Sequence, residues 1–336
     1  MRTLRSLLAA TVMLAALPLA AQAQTKVTIG KIISGNGLHI PSYVAMDRGY
    51  YKDEGLDARF ISLTGSALIK GALTGAIDFI PIPSGGAQAV FSGAEIRYVV
   101  GQSLGSQWLI AARPEINKPE DLKGKIFGYG RVGSADYDEG AAVMRRAFKL
   151  EVAKDYKVIS FQGETERIAA LVNGDIDAGL ISVPHAPKAL NAGMKILVRT
   201  GDYIQRAGGT MWARKEFAEQ NPETVKKFTR AIAKAVMYYR NNRDGSVAPL
   251  RNHLGIDSDH DADIVWDQTY NAFGAELPKE QFREMFESRR LDMIASKQWT
   301  EDKPLPDPEQ FLLRAQLDST LKAMNYVPTK LDRATN

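Results

Sequence analysis

Short β-branched runs and short helical stretches follow one another along this chain, with Gly, Ser or Thr at most junctions. Residues 26–33 (KVTIGKII) alternate and read as a first strand. Residues 56–63, 77–81 and 96–102 read as the next strands, with helices over 41–48, 67–73 and 90–92. After the turn-like cluster 119–124 the pattern restarts. Strands are expected over 125–130, 156–161 and 176–181, and helices over 137–148, over 165–172 and up to Asn191. This βαβα grammar specifies an α/β fold with doubly wound parallel sheets. The two passes coincide at one place. Ser66-Ala67-Leu68-Ile69 leads to Gly75-Ala76-Ile77-Asp78, and Thr165-Glu166-Arg167-Ile168 leads to Gly174-Asp175-Ile176-Asp177, at a constant offset of 99 residues. Each unit offers a hydroxyl N-cap, an apolar helix face, a terminal Gly and Ile-Asp entering a strand. The match predicts two related lobes, with Asp78 and Asp177 as structural turn residues.

Beyond about residue 203 the pattern changes. Gly208-Gly209-Thr210-Met211-Trp212-Ala213 resembles Ser106-Gln107-Trp108-Leu109-Ile110-Ala111, and each reads as a short strand carrying the chain between lobes. The remainder is mostly helical, over 223–241, 259–272, 279–294 and 308–324. Trp266, Tyr270 and Phe273 have the i, i+4, i+7 spacing of a core stripe.

The first residues read as an export signal: Arg2 and Arg5, an apolar run over 7–20, then Ala21-Gln22-Ala23 as a cleavage site. The run is shorter than the roughly 20 residues of a membrane span, and Pro18 lies near its end. The formal charge of +4 includes Arg2 and Arg5, so a chain cleaved after Ala23 carries +2 and has no basic excess for nucleic acid. With no cysteine, the chain has no disulfide, thiol nucleophile or N-terminal lipid-bearing Cys. These features point to a soluble protein of the periplasm. The four histidines, at 39, 185, 253 and 260, do not form a metal-binding helix motif.

No G-x-S-x-G elbow, Walker loop or dinucleotide fingerprint is present. Strand–helix loops rich in Gly, Ser and Thr recur instead, at 34–39, 64–66, 83–85, 133–135 and 163–165. In an open α/β sheet such loops gather at the carboxyl ends of the strands, where backbone N–H groups, hydroxyls and helix N-termini meet a ligand. Each loop alone reads as a cap. Five over two lobes describe a cleft of neutral donors, suited to binding rather than turnover, with no metal or cofactor.

The run Pro41-Ser42-Tyr43-Val44-Ala45-Met46-Asp47-Arg48-Gly49-Tyr50-Tyr51-Lys52-Asp53-Glu54-Gly55-Leu56 resembles a signature of the sulfonate/taurine/nitrate-type solute-binding proteins, which are similar to thiamine-pyrimidine-precursor-binding proteins. Thr64-Gly65-Ser66 with Leu73-Thr74-Gly75-Ala76-Ile77-Asp78-Phe79 fits a second signature, and Pro119-Glu120-Asp121-Leu122-Lys123-Gly124-Lys125 fits the family's entry into its second lobe. The resemblance covers about residues 26–240.

It implies a type II periplasmic binding fold with C-terminal helices and crossovers near 110–113 and 203–210. Lobe 1 would comprise 24–112 and 206–336, and lobe 2 would comprise 113–205. It further implies a monomeric, non-enzymatic solute-binding component of an ABC importer, closing by a hinge on a small molecule and delivering it to an inner-membrane permease driven by an ATPase. By position on the family pattern, lobe 1 would contact ligand through Asn36, His39, Tyr43, Thr64, Gly65, Ser66 and Ser84. Lobe 2 would use Gly133, Ser134, Tyr137, Thr165 and His185. Two further candidates are Arg131, as a bidentate anion partner or a solvated surface residue, and Trp108, as a stacking platform or crossover packing. His39 and His185 read either as ligand contacts or as ordinary histidines. The neutral loops with Tyr43, Trp108 and Tyr137 nearby favour an organic solute with an aromatic, carboxylate or sulfonate part over an inorganic anion. Two other readings share the fold: a ligand-sensing partner of a membrane receptor, and a thiamine-precursor-type enzyme, whose Cys-rich segment is lacking here.

Overall fold

The computed structural model describes residues 24–32, 37–130, 135–204, 207–295 and 297–329. Nine strands are described: β1 (Thr25–Ile32), β2 (Leu56–Leu63), β3 (Ile96–Val100), β4 (Trp108–Ala112), β5 (Ile126–Tyr129), β6 (Lys157–Ser160), β7 (Ala178–Ser182), β8 (Lys195–Arg199) and β9 (Met211–Arg214).

They form two lobes of the same plan. In the first, β2 and β1 pair in parallel. Ile29 bridges Phe79 in parallel, Ile80 bridges Trp212, and β9 pairs antiparallel with β3. The spatial order is therefore β2, β1, residues 79–80, β9, β3. The second lobe's sheet runs β6-β5-β7-β4-β8, with β5 parallel to β6 and β7 and with β4 antiparallel to β7 and β8. In both, the strand that follows a crossover is inserted, antiparallel, between the third and fourth strands. The expected 77–81 strand is reduced to the bridges at Phe79 and Ile80. The expected lobe boundary at 112/113 falls at the end of β4, whose partners are β7 and β8, so the first crossing of the chain precedes Trp108.

The offset of 99 residues marks one device built twice. Asp78 Oδ2 accepts from the backbone N–H of Thr28 at 2.8 Å, and Asp177 Oδ2 accepts from that of Ile126 at 2.8 Å. Each carboxylate tethers the turn before an inner strand to the parallel strand beside it, β1 or β5. The helices Gly65–Thr74 and Glu164–Asn173 end at Gly75 (φ +85°) and Gly174 (φ +87°), a left-handed conformation that favours glycine.

β4 lies between two apolar layers. Leu109 and Ala111 join the larger core cluster, and Ile110 and Ala112 join the second, so both faces are covered. The helix Pro222–Asn241 brings Phe228 onto Phe79, with ring centroids 3.8 Å apart and planes within 7°. The helix Pro83–Phe91 starts seven residues before the expected 90–92 segment. Its glycines are imposed by packing: a Cβ at Gly86 would lie 2.6 Å from the Tyr98 hydroxyl oxygen. The helix Arg243–Leu254, which encloses Pro249, has no counterpart among the expected elements. Of the expected stripe, Phe273 is fully buried, while Tyr270 is 38% exposed and stacks on Trp266. No helix among the described residues is long and apolar enough to cross a membrane.

The two crossovers run side by side in their described parts, residues 101–107 against 200–204 and 207–210. Gly208 N–H donates to the Ser103 carbonyl at 3.0 Å. A Cβ on Gly201 would lie 2.5 Å from the Ser106 carbonyl oxygen, so only glycine allows this approach. The segment after Thr269 braces the first crossover: Gly101 N–H donates to Ala275 O and Leu104 N–H to Ala272 O, each at 3.0 Å.

Asp78→Ala and Asp177→Ala are each expected to lower the unfolding free energy by about 1–3 kcal/mol, the cost of an unmet, partly buried donor and a lost carboxylate acceptor. Urea denaturation followed by circular dichroism checks this; a loss at one site alone would break the equivalence.

Candidate functional site

A cleft of about 1560 Å³ opens between the lobes. Lobe 1 contributes the 3-10 turn Gly37–His39, residues 81–84 and part of the C-terminal helices. Lobe 2 contributes residues of the helix Ala135–Phe148, Glu164 and Thr165, and the stretch from Ser182 to Ala192. Ser106, Gln107 and Gly208 bring the crossovers into the wall.

Of the expected contacts, His39, Ser84, Trp108, Thr165 and His185 line the cleft. Ser84 lies in the first turn of the helix Pro83–Phe91, and Thr165 in that of the helix Glu164–Asn173, so both stand beside free backbone N–H groups. Five expected contacts stand elsewhere. Tyr43 is 1% exposed and stacks on His253 at 4.7 Å, with Lys31 Nζ 5.1 Å from its ring centroid, because it occupies the face of the helix Ile40–Asp47 turned to the core. Thr64, Gly65 and Ser66 open the helix Gly65–Thr74 off the cleft wall, with Thr64 and Ser66 exposed to solvent. Tyr137 packs on Tyr129, with centroids 5.1 Å apart, among the second cluster. Asn36, Arg131, Gly133 and Ser134 lie outside the described residues.

The wall also contains residues that the sequence reading did not single out: Ser106, Gln107, Glu139, Glu164 and Ser182. The Ser-Gln-Trp and Gly-Glu-Thr runs held part of that signal. Thr200 Oγ1, on the second crossover, is 2.7 Å from Ser106 Oγ and 2.9 Å from Glu139 Oε1. It thereby ties both crossovers to the helix Ala135–Phe148. Glu164 Oε2 accepts from Ser182 N–H at 2.6 Å and Ser182 Oγ at 3.0 Å, and lies 3.1 Å from His185 Nδ1. Burial pushes the Glu164 carboxyl up, but His185 and the two Ser182 donors outweigh it and hold the group below the usual carboxylate range. Ser182 Oγ lies 3.1 Å from the same His185 nitrogen that faces Glu164. A nucleophilic relay needs the hydroxyl and the acid on opposite nitrogens, so this cluster orders the loop instead.

His39 is 2% exposed. Its Nε2 lies 2.8 Å from the Pro81 carbonyl oxygen, and burial lowers its pKa to about 4 against the weaker pull of that bond. Around the cleft stand six carboxylates (Glu139, Glu164, Asp257, Asp261, Glu284, Glu287) and three Lys/Arg side chains (Arg146, Lys188, Arg289). Among the described residues no cluster could hold a metal ion.

A family described as "NMT1/THI5 like" matches residues 36–246. The taurine-binding periplasmic protein of Escherichia coli (strain K12) is 30% identical over 150 residues, covering 44% of this chain and 45% of that one, so the match spans about half that relative's length. The periplasmic aliphatic sulphonate binding protein SsuA from Escherichia coli has the same fold, with a TM-score of 0.68 at 18% identity, covering 88% of this chain and 99% of that one. The desulfurization enzyme DSZB also shares it, with a TM-score of 0.63 at 14% identity, covering 90% of this chain and 100% of that one.

Because folded His39 stays neutral to about pH 4 while a solvated histidine titrates near 6.5, the unfolded chain binds more protons between those values. Stability therefore falls as pH drops through that window, by about 2 kcal/mol from this group at pH 5. His39→Gln, which is neutral throughout, is expected to show a loss smaller by that amount in urea melts at pH 7 and pH 5.

Proposed function

Because the chain belongs to the NMT1/THI5-like family, we propose that it is the solute-binding component of an ABC importer. It captures a small organic solute between its lobes and hands it to a membrane permease. The observation that carries this reading is the cleft itself: both lobes and both crossovers line one cavity, so a solute held there favours the closed arrangement through contacts on each side. The taurine-binding relative supports it. A cleft of this size suits an organic solute with an aromatic, carboxylate or sulfonate part better than a bare inorganic ion.

The protein acts without turnover on this reading. DSZB shares the fold, and a cysteine-to-serine mutant of it has been solved in complex with biphenyl-2-sulfinic acid, whereas this chain has no cysteine to act as a nucleophile. The protein works as a monomer in the periplasm, with residues 1–23 removed on export. The hinge runs through the paired crossovers, and the expected contacts lining the cleft, His39, Ser84, Trp108, Thr165 and His185, touch the solute.

A thermal-shift panel on the purified protein tests this, with aromatic carboxylates and organic sulfonates set against nitrate and bicarbonate. At a hundredfold excess over Kd, binding stabilises the folded state by about 2.7 kcal/mol and raises the melting temperature by several degrees. Shifts with organic probes are expected; shifts with the inorganic ions alone would remove the organic assignment.

A further inference from the structure

The polar side chains of the cleft wall mostly spend their hydrogen bonds inside the protein. Glu164 is met by Ser182 and His185, and Glu139 by Thr200. Two neutral residues of the wall carry buried atoms that have no hydrogen-bond partner among the described residues: His39 at Nδ1, and Gln107 at Oε1 and Nε2. Both residues are more than nine-tenths buried, His39 at 2% and Gln107 at 7% exposure.

The chemistry of each atom is fixed by its surroundings. The carbonyl of Pro81 can only accept, so His39 Nε2 carries the proton and Nδ1 presents a lone pair. Burial keeps the ring neutral to about pH 4, so Nδ1 remains an acceptor at neutral pH. Gln107 stands where the first crossover enters β4, and its backbone carbonyl accepts from Val183 N–H at 3.2 Å. Its Oε1 packs against the turn that carries His39, since a Cβ on Gly37 would lie 2.5 Å from it. Gln107 thus packs on the 3-10 turn that contains His39, and the two side chains together offer two acceptors and one donor. A buried polar atom left unmet is costly, and a ligand with matching groups recovers that cost. A bare oxyanion accepts only. It would serve Gln107 Nε2, leave both acceptors unmet and face a wall with six carboxylates and three Lys/Arg side chains.

We propose that Gln107 and His39 form a neutral subsite that selects solutes bearing an N–H or O–H donor beside an acceptor, such as an amide or an amino-substituted acid, over bare oxyanions. This rests on the cleft being the solute site. It assigns specificity to a residue on the first crossover, whose backbone carbonyl bonds to Val183 and whose side chain packs on Gly37.

Calorimetry on the purified protein at pH 7 tests it with matched probes: benzamide against N,N-dimethylbenzamide, 3-aminobenzoate against benzoate, and nitrate as the bare oxyanion. The N–H-bearing member of at least one pair is expected to bind about tenfold tighter or more, as for sites built around a hydrogen-bonded group. Gln107→Met, similar in length but without the amide, should bring that ratio close to one. Gln107→Glu, which keeps an acceptor and loses the donor, should retain part of it. Melting curves of the unliganded variants report folding, and His39→Phe provides an independent loss of an acceptor. Equal or tighter binding of the donor-free members, or a ratio unchanged in Gln107→Met, would overturn the subsite and leave the cleft standing. Binding by no probe would overturn the cleft as an organic-solute site, and the subsite with it.

Discussion

The contact between the two crossovers governs the rest of the architecture. Gly201 lies against the Ser106 carbonyl, Gly208 bonds to Ser103, and Thr200 Oγ1 reaches Ser106 Oγ at 2.7 Å. Two strands of backbone at this separation form a narrow strap on which both sheets hang. Carbonyl and amide groups of residues 272–275 hold the strap from the lobe 1 side, and Glu139 holds it from lobe 2. The cleft lies against this strap, so a solute touching Ser106, Gln107 or Gly208 bears directly on the segments that join the lobes.

The fold was legible where local chemistry and architecture agree. Asp78 and Asp177 stand in the same turn of two matching units, and their bonds to Thr28 and Ile126 have the same 2.8 Å length. Gly75 and Gly174 advertise the helix ends they form. Segments governed by packing read poorly. Gly85 and Gly86 signal a loop, yet they belong to a helix pressed against Ile69, Tyr98 and Trp212, where a side chain would not fit. Pro249 masks the helix Arg243–Leu254, in which Leu250 is 1% exposed.

The site was legible as a set of loops and less so as a set of side chains. Strand–helix junctions brought His39, Ser84 and Thr165 to the cleft, as the topology of open sheets requires. A motif places a residue on an element but does not say which face it takes. Tyr43 lies one turn along from His39 and turns to His253, away from the cleft. Gln107 carries no motif; its significance arises only because folding sets Gly37 against it and leaves its amide unmet. The charge of the wall was likewise invisible, because its six carboxylates are spread from Glu139 to Glu287 and meet only in three dimensions.

The exchange of strands between lobes also fixes the order in which the molecule can be completed. The second sheet has all its strands once Arg199 has been made, whereas the first must wait for β9 at Met211–Arg214 and for the helix that carries Phe228. During synthesis from the N-terminus, the earlier half of the chain is the later to close. A polypeptide built this way leaves its first sheet incomplete until β9 has been made. No single cut releases either half as a finished unit.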